Sequence, residues 1–428
     1  MKVGIYTLGC KVNSYESEYV MSLFKDKNYI VSDFDDVCDV YIINTCTVTN
    51  QSDSKSRKII REAIRKNPDA CIVAMGCFIE SSKDHLIDGV DIYIGNKDKS
   101  KVVELVEEYF KNKTIIKRLY SDLGTTFEDM EIKSFEGRTR AFVKIQDGCE
   151  NFCTYCIIPY VRGKCRSKNK DKVISEITNL VDNGYKEIVL TGIHTGNYGR
   201  DLDCDFASLL KEILEIKGLY RLRISSIEIT ELTDEVLELI KNNNIIADHL
   251  HIPLQAGSNE MLRLMNRKYN KQYFIDKINT IRSIRPDISI TTDVIVGFPG
   301  ETDELFLESY NFCREIGFSK IHVFPYSIRE NTPAAKFKDQ VDGNVKKERA
   351  RKLIELSNKL EEEYMSKFID KEIDVLIERN KDNYSYGHTS NYLNVKISGN
   401  YDSEEIVTVR LSNIDYPYCV GEELVNQR

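Results

Sequence analysis

Short apolar strands alternate with amphipathic helices in two successive runs, and this alternation restricts the fold more than any other feature of the sequence. In the first run we expect helices at Asn13–Lys27, capped by Asn13, and at Ser52–Lys66, with strands at Val3–Thr7, Val40–Ile43, Cys71–Met75 and Ile92–Ile94. Strands joined by helical crossovers pair in parallel, and the repeat of about thirty residues has the length of one βαβ unit. The first run therefore predicts an α/β domain with a doubly wound parallel sheet.

The second run is longer and begins near residue 141. We expect its strands at Phe142–Gln146, Ile188–Thr191, Leu222–Ser226, His249–Leu254, Ser289–Val296 and Ile321–Pro325. Helical patterns lie between them at Val173–Asn183, Phe206–Ile216, Thr233–Lys241, Lys271–Ile284 and Glu304–Ile316. Six strands with helical crossovers predict a partial (β/α)6 barrel, and in barrels the chemistry lies at the carboxyl ends of the strands.

The segments outside these two runs have different residue patterns. Residues 110–135 mix charges with Gly124, which is typical of a linker, and Asn344–Phe368 has the pattern of one long charged helix. Four short strands follow in the tail, with Tyr392 among several aromatic residues that could stack bases or fill a core. We therefore predict three domains, at residues 1–112, 135–366 and 367–428, the last of them a small β-barrel.

Three cysteines lie within eight residues, directly after the first strand of the barrel. Cys149, Cys153 and Cys156 have the spacing C-x3-C-x2-C. Three thiolates can hold three irons of a [4Fe–4S] cluster, and no fourth cysteine follows at ferredoxin spacing, so one iron would stay open to a ligand. The alternatives are a zinc site or three packed thiols. Zinc sites usually need a second matching pair, which is not visible here.

A second trio of cysteines lies in the first run. Cys10, Cys46 and Cys77 each follow a strand in a polar or glycine-containing turn. Because the carboxyl ends of parallel strands form the binding crevice of an open sheet, we expect these three thiols to converge. Metal ligation is the favoured interpretation, and simple burial is the alternative. Cys38 and Cys71 lie elsewhere on the pattern and are interpreted as packing residues.

The other strand ends of the barrel are also polar. Thr191, Gly192, Ser225 and Ser226 lie at two of them, and Gln255 and Asp293 lie at or near two more. Hydroxyl and amide groups can orient a ribose or an amino-acid moiety, so these residues are candidate contacts of a small cofactor. A histidine at such an end, His194, is interpreted as structural.

Charge and composition limit the function classes. The net charge is −8 and no apolar run reaches the roughly 18 residues of a membrane span, so neither bulk nucleic-acid attraction nor membrane insertion is expected. The amino terminus enters a strand directly, which favours a cytoplasmic protein. A basic run just after the three barrel cysteines could contact RNA phosphates, or it could be a solvated face: Arg162, Lys164, Arg166 and Lys168.

Together these motifs resemble the radical S-adenosylmethionine methylthiotransferases over nearly the whole chain. The strings at residues 149–156, 251–258, 265–267 and 293–301 match that family, and Phe152 and Tyr155 match the aromatic positions of its cysteine loop. The resemblance implies a methylthiotransferase domain, a radical core and a TRAM domain. It also implies two [4Fe–4S] clusters, held by Cys10, Cys46 and Cys77 and by Cys149, Cys153 and Cys156, with S-adenosylmethionine bound at the second.

Within the family, Lys11-Val12-Asn13 after Cys10 and the segment Phe324–Ser327 are similar to the branch that acts on threonylcarbamoyladenosine in tRNA. The implied reaction places a methylthio group at C2 of that adenosine, beside the anticodon. Its implied partners are tRNA, a sulfur donor and an electron donor of flavodoxin or ferredoxin type. A threonyl carboxylate requires a cation, for which Arg267, Lys268 and Arg329 are candidates.

Three competing functions stay open from the sequence. Two are the other branches of the family, which modify isopentenyladenosine in tRNA or an aspartate of a ribosomal protein. The third is a non-catalytic, metal-stabilised RNA-binding protein. Cys165 departs from the family pattern and is not expected to be a ligand.

Overall fold

The computed structural model describes residues 1–135, 137 and 139–424. The first unit is a six-stranded parallel sheet in the order β2-β1-β3-β4-β5-β6, which confirms the doubly wound prediction. Its strands are β1 (Lys2–Thr7), β2 (Ile30–Ser32), β3 (Val40–Thr45), β4 (Cys71–Gly76), β5 (Ile92–Ile94) and β6 (Ile116–Arg118). Its helices are α1 (Lys11–Asp26), α2 (Asn50–Lys66), α3 (Cys77–Ser81) and α4 (Val102–Asn112). Strands β3 and β4 are buried along their whole length because helices cover both faces.

The start of α1 corrects the sequence prediction. The helix begins at Lys11 with Cys10 as its N-cap, not at Asn13. Asn13 is buried inside the first turn, where its Nδ2 donates hydrogen bonds to the carbonyls of Leu8 at 2.7 Å and Thr45 at 3.0 Å. These bonds fix the turns that carry Cys10 and Cys46, which explains why an asparagine occupies a helical position.

The segment around residues 110–135 is not a loose linker. It contributes β6 to the sheet, beyond the predicted boundary at residue 112, and then packs against the barrel. Met130, Ile132 and Phe135 are buried in the barrel core, and the carbonyl of Met130 accepts a hydrogen bond from the hydroxyl of Tyr15 at 2.6 Å. Charged residues in this stretch conceal its apolar contacts when the sequence is examined alone.

The second unit is the predicted partial barrel. Its parallel strands are β7 (Arg140–Asp147), β9 (Glu187–Gly192), β10 (Arg221–Ile224), β11 (His249–His251), β12 (Ser289–Val296) and β13 (Lys320–Pro325), with β8 (Arg166–Ser167) antiparallel to β7. They form the sheets β10-β9-β7-β8 and β11-β12-β13, which isolated bridges join at Leu222–Ile246 and Ser226–His251. The helices are α5 (Ile158–Arg162), α6 (Lys170–Asp182), α7 (Phe206–Leu214), α8 (Asp234–Asn242), α9 (Asn259–Leu264), α10 (Lys271–Ile284), α11 (Asp303–Ile316) and α12 (Gly343–Ser366).

The tail forms a closed five-stranded barrel in the order β14-β15-β16-β18-β17. Its strands are β14 (Glu372–Lys381), β15 (Tyr384–Thr389), β16 (Asn394–Ser398), β17 (Ile406–Asp415) and β18 (Tyr418–Glu423), the last of which the sequence pattern did not indicate. The small β-barrel is therefore confirmed, while its assignment as a TRAM domain stays a prediction. None of the described helices is long and apolar enough to cross a bilayer.

Candidate active site

The loop with the three barrel cysteines follows β7 and is tied down by backbone hydrogen bonds. Gly148 precedes it with φ +77°, and a Cβ there would stand 1.9 Å from the carbonyl oxygen of Lys164. The amide of Cys149 donates to the carbonyl of Gly163 at 3.0 Å, and the amide of Thr154 donates to the carbonyl of Met265 at 3.1 Å. The loop therefore has a fixed position at the carboxyl end of the barrel, where the strand pattern predicts the site.

Two basic side chains contact the sulfurs of this loop. Arg267 Nη1 donates to Cys153 Sγ at 3.3 Å, and His194 Nδ1 lies 3.6 Å from Cys149 Sγ. Burial, together with the neighbouring Cys153, raises the pKa of Cys156 to about 12. A thiol with such a pKa stays protonated at neutral pH, so metal binding at Cys156 must displace a proton.

The second trio comes together as the sheet topology predicts. Cys10 follows β1, Cys46 follows β3 and Cys77 opens α3 after β4. A Cβ on Gly9 would lie 3.0 Å from Cys46 Sγ, so only glycine lets the turn of Cys10 approach this closely. Burial, together with the nearby thiols of Cys77 and Cys10, raises the pKa of Cys46 to about 11. Ligation by the three thiols stays a prediction.

A buried charge cluster joins the second trio to the barrel. Arg162 Nε donates to Cys77 Sγ at 3.2 Å, and its Nη1 lies 3.0 Å from both Glu16 Oε1 and Asp147 Oδ1. Lys144 contacts the same two carboxylates at 2.8 and 2.7 Å, and Lys99 also pairs with Glu16. Burial raises the pKa of the Glu16 carboxyl, but these three cations outweigh burial and hold it well below its usual range.

The prediction that the basic run faces RNA is wrong for three of its four members. Arg162 is completely buried, Arg166 is 4% exposed and donates to the carbonyl of Arg162, and Lys168 pairs with buried Glu176 at 2.6 Å. All three are buried and already bonded to protein partners, so they cannot reach a phosphate. Lys164 is the one exposed residue of the four.

A small cavity of about 190 Å³ adjoins Cys156. Tyr155, Gln255 and Asp293 line it, together with the segment Phe324–Ser327. Three of the residues predicted to contact the cofactor thus share one pocket with a barrel thiol. Phe152 does not line this cavity: it is 48% exposed and makes an edge contact with Tyr160, with ring centroids 6.0 Å apart.

A larger cavity of about 530 Å³ lies where the three units meet. The remaining predicted cofactor contacts line it and not the small cavity: Thr191, Gly192, Ser225 and Ser226. Cys10 and Lys11 form the wall contributed by the first unit, and Tyr392 belongs to the wall from the small barrel. His251 lines the large cavity and Asp293 lines the small one. His251 Nε2 lies 3.2 Å from Asp293 Oδ2, so this pair lies between the two cavities.

Tyr392 is one of several residues of the small barrel that line the large cavity. Its ring stacks against the rings of His249 and His388, with centroid distances of 4.9 and 4.7 Å, so protein side chains already occupy it. Arg223 Cζ also lies 4.6 Å from its centroid. Burial raises the pKa of Tyr392, but Arg140, Lys11 and Arg223 outweigh burial and lower it below the usual value. The potential in this corner is therefore positive.

The cations proposed from sequence for a substrate carboxylate are placed elsewhere. Arg267 is buried, pairs with Glu228 and donates to Cys153, and Arg329 Nη2 pairs with Asp53 at 2.7 Å. Both are therefore already neutralised, and the prediction that they bind substrate is wrong. Lys268 is exposed, donates to Asn266 at 3.0 Å and lines neither cavity.

Sequence reasoning missed Lys11, His249 and His251 as residues of the large cavity. His249 and His251 lie in the amino-terminal half of the predicted strand His249–Leu254, whereas site residues were sought at the carboxyl ends of the strands. Lys11 was used only within the string Lys11-Val12-Asn13 to assign the substrate branch, and its place in the cavity wall was not predicted. Cys165, which was not expected to be a ligand, is buried and accepts a hydrogen bond from Gln146 Nε2 at 3.2 Å.

The chemistry of the two trios suits iron–sulfur clusters. Among the described residues, no group of three or more His, Cys, Asp or Glu side chains is arranged to hold a single metal ion. A four-iron cluster spreads its thiolate ligands over separate corners, farther apart than the ligands of one ion. In each trio one sulfur also accepts a hydrogen bond from an arginine N–H, namely Cys77 Sγ in one trio and Cys153 Sγ in the other. Such hydrogen bonds and the nearby positive charge stabilise an anionic cluster.

Comparisons with known proteins cover nearly the whole chain. The Radical SAM superfamily matches residues 143–313, and the uncharacterized protein family UPF0004 matches residues 2–95. The threonylcarbamoyladenosine tRNA methylthiotransferase MtaB of Bacillus subtilis is 46% identical, over 98% of this chain and 96% of that protein. The tRNA-2-methylthio-N(6)-dimethylallyladenosine synthase of Clostridium botulinum is 35% identical, over 98% of this chain and 96% of that protein.

Among solved structures, the radical S-adenosylmethionine methyltransferase TsrM from Kitasatospora setae has a similar fold. Its TM-score is 0.57 at 14% sequence identity, and the match covers 78% of this chain and 74% of TsrM. At this identity the likeness concerns the fold alone.

Proposed function

Because this chain belongs to the radical S-adenosylmethionine tRNA methylthiotransferases, we propose that its substrate is N6-threonylcarbamoyladenosine on the 3′ side of the anticodon. The product is the 2-methylthio derivative of that nucleoside. The observation that carries this choice is the 46% identity, over nearly the full length of both chains, to a relative named for this activity. The relative named for dimethylallyladenosine is less similar, at 35%, and dimethylallyladenosine is the second candidate substrate.

The enzyme uses S-adenosylmethionine and [4Fe–4S] clusters, as its family does. When bound, these groups supply a carbon-centred radical and an activated, methylated sulfur, because the C2–H bond of adenine is too unreactive for acid–base chemistry. The contribution of the protein is to hold the groups and the base in fixed relative positions.

We assign Cys149, Cys153 and Cys156 to one cluster and Cys10, Cys46 and Cys77 to the other. The small cavity beside Cys156 is the proposed site of S-adenosylmethionine, with Gln255 and Asp293 as polar contacts. Arg267 has the role of a positioning residue, since it donates to Cys153 Sγ and is itself held by Glu228.

The large cavity is the proposed site of the modified base. It has one wall at Cys10 and neighbours the small cavity across the pair of His251 and Asp293. A base in this cavity would lie between the two groups of thiols, which the reaction requires. Serine and threonine hydroxyls on its walls, such as Ser225 and Thr291, can bind polar groups of the substrate.

The proposed partners are tRNA, a sulfur donor and an electron donor of flavodoxin or ferredoxin type, and the proposed location is the cytoplasm. Within the basic run, Arg162, Arg166 and Lys168 are buried and are not proposed to bind the tRNA backbone. Lys164 is exposed and remains a candidate phosphate contact.

The test is nucleoside analysis of tRNA from cells with and without the gene. We expect 2-methylthio-N6-threonylcarbamoyladenosine to disappear on deletion and to return with the native protein but not with Cys153→Ala. Loss of 2-methylthio-N6-isopentenyladenosine instead would support the second candidate. Unchanged methylthio nucleosides would contradict both tRNA functions.

A further inference from the structure

Lys11 is a cation without a protein partner in the wall of the large cavity. It is exposed and lines the cavity beside Cys10. Its ammonium makes no hydrogen bond or ion pair with any residue in the described ranges 1–135, 137 and 139–424. The other lysine and arginine of the cavity wall, Lys320 and Arg223, are paired with the carboxylates of Glu361 and Glu187.

The surroundings of Lys11 carry an excess of positive charge. Arg223 lines the cavity and shares its carboxylate partner Glu187 with Arg140 and Arg221, while Glu378 also pairs with Arg140. With Lys11, these four cations have two carboxylates between them. One anionic group bound here would offset one of the two excess positive charges, and opposite charges interact strongly where water is partly excluded.

The start of α1 adds to the same potential. The helix begins at Lys11, its N-cap Cys10 makes no side-chain capping hydrogen bond, and its first turn contains no acidic residue. The free amide groups at a helix N-terminus attract anions. Lys11 and Val12 both line the cavity, so this end of the helix belongs to its wall.

A neutral polar group without a partner lies on the same cavity. His249 is 7% exposed, its Nε2 is hydrogen-bonded to Thr291 at 3.0 Å, and its Nδ1 has no partner among the described residues. A buried polar atom without a hydrogen bond is costly, so a ligand hydroxyl or carbonyl that reaches it gains affinity. The cavity therefore offers a positive corner and a neutral hydrogen-bonding group.

We propose that Lys11 binds the carboxylate of the threonylcarbamoyl side chain and thereby selects this substrate over an apolar adenosine modification. This assignment rests on the proposed function. The carboxylate satisfies Lys11 and the N-terminus of α1, and the threonyl hydroxyl or the carbamoyl oxygen reaches His249. Lys11 is thus a specificity-determining residue, and the carboxylate anchors the base beside Cys10.

The experiment compares three anticodon hairpins that differ only at the modified adenosine. One carries threonylcarbamoyladenosine, the second carries its methyl ester, which lacks the charge, and the third carries unmodified adenosine. Dissociation constants are measured anaerobically for the reconstituted native enzyme, for Lys11→Met and for the matched control Lys111→Met, an exposed lysine at the end of α4. Iron content is measured for each protein, and Lys11→Gln replaces Lys11→Met if methionine disturbs Cys10.

We expect the native enzyme and Lys111→Met to bind the acid about tenfold to a hundredfold more tightly than the ester, the usual value of a hydrogen bond to a charged group. Lys11→Met should lose most of this preference, because only the N-terminus of α1 and the neighbouring arginines then attract the carboxylate. Lys11→Arg should keep a preference for the acid.

Two results overturn the assignment and leave the proposed function intact. One is a Lys11→Met variant that prefers the acid over the ester as strongly as the native enzyme does. The other is equal weakening for all three hairpins, which means that Lys11 contacts an RNA phosphate. A native enzyme that does not distinguish threonylcarbamoyladenosine from unmodified adenosine contradicts the proposed function itself.

Discussion

Replacement of Arg162 by methionine should destabilise the protein and not primarily weaken its binding to tRNA. The arginine is completely buried and holds two carboxylates, Glu16 from the first unit and Asp147 from the barrel. Methionine replaces the aliphatic part of the arginine side chain but has no guanidinium group, so it removes the charge and the hydrogen bonds. The variant therefore mainly tests the electrostatic part of the contact between the two units.

The magnitude follows from what remains around the two carboxylates. Loss of one partner of a buried ion pair typically costs about 3 to 5 kcal/mol, since the other charge is left uncompensated. Here Lys144 still contacts both carboxylates and Lys99 still contacts Glu16, so compensation is partial. We therefore expect a loss at the lower end of that range, about 3 kcal/mol in the free energy of unfolding.

The assay is urea unfolding followed by far-ultraviolet circular dichroism, because the chain contains no tryptophan. The midpoint urea concentration should fall for Arg162→Met, and the transition of the first unit should separate from that of the barrel. The matched control is Lys164→Met, two residues away and exposed, which should change stability by less than about 0.5 kcal/mol. Equal midpoints for the two variants would refute the reasoning from burial.

The remaining predictions concern the iron content, the separate roles of the two groups of cysteines and the pH dependence of stability. Anaerobically reconstituted protein should contain about eight irons per chain. Replacement of the three barrel cysteines by alanine should leave about half of this iron. Stoichiometric zinc without iron would contradict both cluster assignments. Cys46→Ala should still cleave S-adenosylmethionine to 5′-deoxyadenosine without inserting sulfur, and Cys153→Ala should not cleave it; a Cys46→Ala variant inactive in cleavage would show that the two sites are not separable. Burial raises the pKa of Glu187, but Arg223 and its neighbours outweigh burial and lower it from 4.5 to about 2. At about 1.4 kcal/mol per pKa unit, the charged carboxylate contributes about 3 kcal/mol of stability above pH 4.5, which is lost as the pH falls towards 2. Urea unfolding of cluster-free protein between pH 7 and 3 should show this loss in the native chain and a weaker pH dependence in Glu187→Gln; identical pH profiles would contradict it.

The parts of the fold that the sequence predicts are those determined by local pattern. The barrel strands and helices lie within a few residues of their predicted bounds; α10, at Lys271–Ile284, has the predicted bounds. The convergence of Cys10, Cys46 and Cys77 was also predictable, because parallel strands bring their carboxyl ends to one edge of the sheet.

The errors arise where a residue's environment comes from a distant segment. Arg162 and Lys168 resemble a surface patch in sequence, but their partners Glu16 and Glu176 enclose them only after folding. The same limit applies to Arg267 and Arg329, whose charges are neutralised by Glu228 and Asp53.

The large cavity likewise could not be predicted from the sequence, because its walls come from distant segments. Its walls come from α1, from the ends of the barrel strands and from the loop of Tyr392 in the small barrel. No stretch of sequence contains these elements together, so the unpaired charge of Lys11 became visible only with the fold.

In the most direct measurement, the reconstituted enzyme is incubated with S-adenosylmethionine, a reductant and a sulfur source. Two tRNAs are supplied as substrates in separate reactions. One carries N6-threonylcarbamoyladenosine and the other N6-isopentenyladenosine beside the anticodon, and the digested nucleosides are identified by mass spectrometry. We expect the 2-methylthio derivative of the first. Methylthiolation of the isopentenyladenosine tRNA alone would contradict the proposed substrate.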